Sequence, residues 1–89
     1  MALTGMDIEA VRQLAQLLNQ KSNDINDIMQ QLNSQIQNSS SIWIGNDAEQ
    51  FRNDWQSSHV PALNQVVQGL QDASQRANQN ASQQEQASA

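Results

Sequence analysis

The sequence predicts an all-α fold: an antiparallel two-helix hairpin with a Trp-x-Gly turn, pairing into a four-helix bundle dimer. Three observations predict it. Apolar residues recur at steps of three and four along two long stretches, the spacing of one helix face. The first stretch has no Gly or Pro between Gly5 and Gly45. Trp43-Ile44-Gly45 then separates the two stretches near the middle of the 89 residues, a length that fits one domain spanning 1–89.

Thr4-Gly5-Met6-Asp7 reads as a capping-box-like helix start ahead of an apolar-periodic run. The first stripe is Ile8, Val11, Leu14, Leu18, Ile25, Ile28, Leu32 and Ile36, widened by Leu17 and Met29. Lys21 and Ser22 sit in its one gap of seven and read as a polar notch. One helix is predicted over about 4–40, about 50 Å long at ~1.5 Å per residue. Ser39-Ser40-Ser41 ends it, and the turn occupies 41–45. Asn46 is the expected N-cap of the second helix, with Glu49 reaching back from the third position.

The second stripe is Ala48, Phe51, Trp55, His59, Leu63, Val66, Leu70, Ala73 and Ala77, giving a helix over about 46–79. Pro61 removes one amide and crowds the preceding turn, so a kink near Ser57–Pro61 is predicted, with the stripe keeping its phase. The tail, 80–89, has no apolar residue except alanine, and either frays or continues as a polar helix. A lone hairpin leaves leucines and isoleucines wet, and so short a chain buries little core. Val11, Leu14, Leu18, Ile25, Ile28, Leu32, Ile36, Leu63, Val66 and Leu70 are therefore the expected core and dimer seam.

Composition excludes several classes. The net charge of −5 disfavours nucleic acid and anionic lipid, both of which favour a basic face. With no Cys there is no disulfide, no thiolate metal site and no thiol nucleophile. His59, the only histidine, reads as a surface or interface residue rather than a ligand or base. Asp24 with Asp27, and Asp47 with Glu49, have no concave pocket on a narrow hairpin to desolvate them, and read as solvated acids. No catalytic, cofactor-binding or metal site is expected, and the chain is not expected to be an enzyme. No apolar run approaches the roughly 20 residues that span a bilayer. No basic segment followed by an apolar one opens the chain. A soluble protein made in the cytoplasm is expected, and any export is by a route independent of a cleaved signal peptide.

At the turn, Trp43 supplies an apolar plate that wedges the end of the first helix against the second. Gly45 permits a backbone angle that a side chain forbids. With Ala48, Phe51 and Trp55 following down the second helix, this pattern resembles the WXG family, whose members are similar to the early secreted antigenic target and are substrates of type VII secretion. The resemblance covers nearly the whole chain. It implies a non-catalytic protein exported as a folded homodimer or heterodimer by a membrane secretion ATPase, acting as effector, carrier or co-substrate. The membrane is then met only through the secretion apparatus. It further implies that the Trp-x-Gly turn of one subunit lies beside a Tyr-x-x-x-Asp/Glu element after the second helix of the other. This chain has no Tyr; Ala81 stands at the aromatic position and Glu85 at the acidic one, a degenerate form of the element. Either a partner subunit supplies the element or another signal is used. The competing reading is a membrane-active helical protein that exposes its apolar stripe after the dimer opens; net acidity and the Lys21-Ser22 notch argue against it.

Overall fold

In the computed structural model, which describes residues 5–88, the chain is a helical rod of 65 × 18 × 16 Å. Helix α1 runs Ile8–Asn38 and tightens into a 3-10 turn at Ser39–Ser41. After the turn come α2 (Asn46–Asp54), a π-helical turn (Trp55–His59) and α3 (Val60–Ser88), continuous with one another. The architecture is all-helical, with two long arms folded back as a hairpin. The second arm, at ~1.5 Å per residue over 46–88, accounts for the full length of the rod.

The helix starts differ from those expected. Asp7, not Thr4, caps α1: its Oδ1 accepts from the Ala10 amide at 3.0 Å. Thr4 itself lies outside the described residues. For α2 the capping residue is Gly45, and Asn46 is already helical, with no side-chain cap bond. The Gly45 carbonyl accepts from the Glu49 amide at 3.1 Å, while Asp47 Oδ1 accepts from the Ala48 amide at 2.9 Å. An aspartate inside the first turn thus takes the anionic role foreseen for Glu49.

The packed seam is more regular than the apolar pattern. The buried side chains of α1 are Ala15, Ser22 and Met29, and those of α3 are Val67, Ser74 and Ala81. Each set repeats at intervals of seven, the period of a left-handed two-helix supercoil. Ile8 and Ile36 extend the first set half-buried, and Val60 extends the second. Val11, Leu18, Ile25, Leu63 and Leu70 flank these positions, also half-buried. The centre of the seam is therefore small: Ala15, Ser22 and Ala81 are fully buried. Small side chains let the two backbones approach, and the Ser74 hydroxyl donates directly to the Ala15 carbonyl across the seam at 2.6 Å. The Ser22 hydroxyl donates to the Asn19 carbonyl at 2.7 Å, within its own helix. Ser22 is thus part of the core rather than of a notch, while its neighbour Lys21 points to solvent and lies 3.7 Å from Asp24.

Pro61 does not break the second arm. Lacking an amide, it cannot donate to Ser57, and the turn before it widens so that the Val60 amide donates to the Trp55 carbonyl, one residue further back than in an α-helix. The extra residue shifts the phase that the sequence pattern carried straight through. The inward step runs from Trp55 to Val60, His59 is exposed, and downstream Val67 and Ser74 are buried in place of Val66 and Ala73. The tail is helical through Ser88, beyond the limit near residue 79 set by the apolar pattern.

Candidate functional site

The hairpin tip is built by backbone bonds first. Ser39 ends α1 and its carbonyl accepts from the amides of Ile42 (3.0 Å) and Trp43 (2.9 Å), which folds 39–43 tightly. Arg52 then reaches back from α2: its Nη1 donates to Ser39 Oγ at 3.1 Å and to the Trp43 carbonyl at 3.2 Å. One guanidinium so ties the end of the first arm and the turn to the second arm. Gly45 turns the chain into α2 with φ 135° and ψ 175°, a region open essentially to glycine alone. A Cβ there would also meet Asp47 Oδ1 at 3.1 Å. Gly45 is the one residue with positive φ among those described.

Around this frame the side chains divide. The rings of Trp43 and Phe51 pack with centroids 5.2 Å apart, tilted at 51°, a favourable aromatic geometry. Ala48 is fully buried beneath the tip. Trp55 does not join Trp43; its Nε1 donates to Asn33 Oδ1 on α1 at 3.1 Å, and Gln56 donates to the same oxygen at 2.6 Å. Its ring lies 6.2 Å from that of His59. Ile42 and Ile44 are 85% and 84% exposed, and Trp43 38%. Two isoleucines and the uncovered part of a tryptophan thus face water from a loop tied down by Arg52, an apolar knob at the tip.

Ser39, Arg52 and Asn33 are the members of this site that the sequence reading missed. Nothing in periodicity marks them, since each acts through a polar contact across the hairpin. The carboxylates Asp24, Asp27, Asp47 and Glu49 are all exposed, and the described residues contain no cluster of His, Asp and Glu able to hold a metal ion.

The opposite, open end carries a second feature. Arg12 and Glu85 form a bidentate pair, Nη1–Oε2 at 3.1 Å and Nη2–Oε1 at 3.2 Å. The hydrogen bonds, and then the charge of Arg12, hold the Glu85 carboxyl below its usual pKa; the same contacts raise that of Arg12. Ala81, one turn earlier, is fully buried in the seam. Ala81 and Glu85 are therefore both folded against the first arm of their own chain.

A family signature decides what this tip and these arms represent. The pattern of the WXG100 family, described as proteins of 100 residues with WXG, matches residues 4–88. The chain belongs to the WXG100 family. No curated protein and no solved structure matches it. WXG100 proteins are small, secreted and non-enzymatic, and the family suggests pairing with related WXG100 chains. Among the described residues, no helix is long and apolar enough to cross a membrane.

The Arg12–Glu85 pair makes a pH prediction. A carboxyl with a lowered folded pKa contributes above its unfolded pKa, and the contribution fades as pH falls through the folded value. The last turns of α3 are thus expected to loosen on acidification below the ordinary glutamate range, while the seam stays intact. A spin label at Ser88 should gain mobility there, and Glu85→Gln should show that mobility already at pH 7. An immobile label in the variant would mean that the pair does not hold the tail.

Proposed function

We propose that this WXG100 chain is a non-catalytic protein-binding substrate of a type VII secretion system, exported as a folded dimer with itself or a relative, and serving as effector, carrier or co-substrate. The exposed knob of Ile42, Trp43 and Ile44 carries the reading. Gly45 and Arg52 hold it in one conformation, and packing within the chain does not account for its two wet isoleucines. A preformed apolar patch avoids the ordering cost of a flexible loop, which suits recognition by the export machinery. The half-exposed Leu14, Ile28 and Val66 along the arms supply the surface for pairing.

Export is expected in cells carrying the secretion ATPase and absent in cells lacking it. Trp43→Ala with Ile44→Ser should lower the exported fraction at least about tenfold while the purified protein keeps its helicity and its state of association. Equal amounts in the medium with and without the ATPase would overturn the export reading.

A further inference from the structure

Charge at the hairpin tip lies on one flank only. Between Asp27 and Asp47 the sequence has no charged residue, so the end of α1 and the loop carry no charged side chain. The first turn of α2 then carries Asp47 and Glu49, and Asp54 ends that helix; all three are exposed. Arg52 is the one basic residue between Lys21 and Arg76, and it is turned onto two neutral acceptors, Ser39 Oγ and the Trp43 carbonyl. The ion pairs among the described residues, Arg12–Glu85 and Lys21–Asp24, lie along the arms and not at the tip. The helix ends leave this balance unchanged. The N-terminus of α2 contributes roughly +0.5 charge, but the C-terminus of α1 reaches the same tip with roughly −0.5 and has no basic residue in its last turn. Three carboxylates therefore stand against one guanidinium that is already engaged.

This acidic flank adjoins the apolar knob. Asp47 Oδ1 lies 3.1 Å from the place a Gly45 Cβ would take, directly after Ile44. The Glu49 amide donates to the Gly45 carbonyl, which fixes the first turn of α2 against the loop. Within the knob Trp43 is partly covered by Phe51, whereas Ile42 and Ile44 are bare. Apolar side chains beside a row of carboxylates restrict what can cover them. Anionic lipid would repel the carboxylates where the isoleucines enter, and a neutral bilayer offers them no counter-charge. A second tip would set like charge against like. A protein cleft with an apolar floor and lysine or arginine on one rim matches both the isoleucines and the acids.

We infer that the partner of the tip presents such a cleft: an apolar floor that takes Ile42 and Ile44, with basic side chains on the one rim that faces Asp47 and Glu49. The inference rests on the export reading above and states what the export machinery offers to the knob. Burial of the isoleucines holds the complex together. The rim charges speed the encounter and set which way round the hairpin docks, because its acids lie on the α2 flank alone. A cleft with the same floor and an acidic rim is refused by like-charge contact.

The test measures binding of the full-length protein to the purified soluble domains of the secretion ATPase, with circular dichroism verifying the helices. Glu49 is exposed, and its side chain makes no hydrogen bond among the described residues, so its variants are expected to fold. In about 100 mM salt, where charges act over ~10 Å, Glu49→Lys should weaken binding about tenfold and Glu49→Gln about threefold, with Glu49→Asp near wild type. In about 1 M salt, where the range is ~3 Å, those differences should vanish. Ile42→Ser with Ile44→Ser should weaken binding at least about tenfold in either salt. Asp72→Lys, a reversal on α3 away from the tip, should bind as wild type. Binding that needs the isoleucines but ignores both Glu49 and salt would overturn the basic rim and leave the proposed function standing. Sedimentation of wild type with phosphatidylcholine vesicles, lost in the double serine variant, would overturn the protein cleft in favour of a lipid surface. A change in state of association in that variant would overturn it in favour of a second copy. A wild-type chain that fails to bind the ATPase, although its export requires that ATPase, would overturn this inference alone. Failure of binding together with export independent of the ATPase would overturn both readings.

Discussion

Ser22→Leu is expected to destabilise the hairpin by about 2 kcal/mol, within the usual range for overpacking a tight core. Sequence logic points the other way, since a leucine between Leu18 and Ile25 would fill the gap in the apolar stripe. Ser22 is fully buried at the centre of the seam, however, and its neighbours in the seven-residue repeat are Ala15 and Met29. Three carbons in place of Oγ, a net gain of two heavy atoms, must either push the arms apart or leave the rotamer minimum. Parting the arms also stretches the 2.6 Å bond from Ser74 to the Ala15 carbonyl, and so leaves a buried hydroxyl and carbonyl poorly matched. The midpoint of thermal unfolding should fall by about 10 °C, since a domain of this size shifts by about 4–8 °C per kcal/mol. Ser22→Ala, which keeps the volume small, should cost far less. An unchanged or raised midpoint for Ser22→Leu would refute the small-residue seam.

Gly45→Ala is the second large effect, expected to cost about 1–3 kcal/mol. The cause is local and covalent: at φ 135° and ψ 175° an L side chain is strained before any neighbour is considered. The added Cβ then meets the Asp47 carboxylate at 3.1 Å, the group that accepts from the Ala48 amide in the first turn of α2. The chain can relieve the strain only by re-aiming the turn, which would loosen the hold of Arg52 on the Trp43 carbonyl. A lower unfolding midpoint together with altered Trp43 fluorescence is the expected result. Gly69, inside α3 with open space around it, provides the contrast: Gly69→Ala should stabilise by up to about 1 kcal/mol through helix propensity. If the two glycine substitutions behaved alike, the backbone argument for the turn would fail.

These two sites show where pattern reading works and where it stops. Gly45 was legible because its role is local. A glycine two residues after a tryptophan and directly ahead of a helix-starting Asn-Asp-Ala-Glu run has few other uses, and the backbone angle bears this out. The pairing of Trp43 with Phe51 was within reach for the same reason, since eight residues of chain connect them. Ser22 was misread because hydropathy ranks side chains by polarity. At a close helix crossing, size counts for more, and a serine that satisfies its hydroxyl on its own helix packs as a small residue. The phase after Pro61 was lost through the π turn, whose single added residue moved burial from His59, Val66 and Ala73 to Val60, Val67 and Ser74. Spacing placed Trp55 in the second stripe, but only the packed arms show that Asn33, 22 residues away, takes its indole N–H.

Periodicity, the position of the turn and the Trp-x-Gly pattern were enough to establish an all-helical hairpin and its family, because helical spacing and glycine backbone preference are properties of short stretches of chain. The residues that meet inside the hairpin were set by the packing of one arm on the other. So were the arginine that pins the tip and the carboxylate that ties down the tail. Each of these depends on which small residues let two backbones approach and on the register they then impose, and neither can be read from one helix alone.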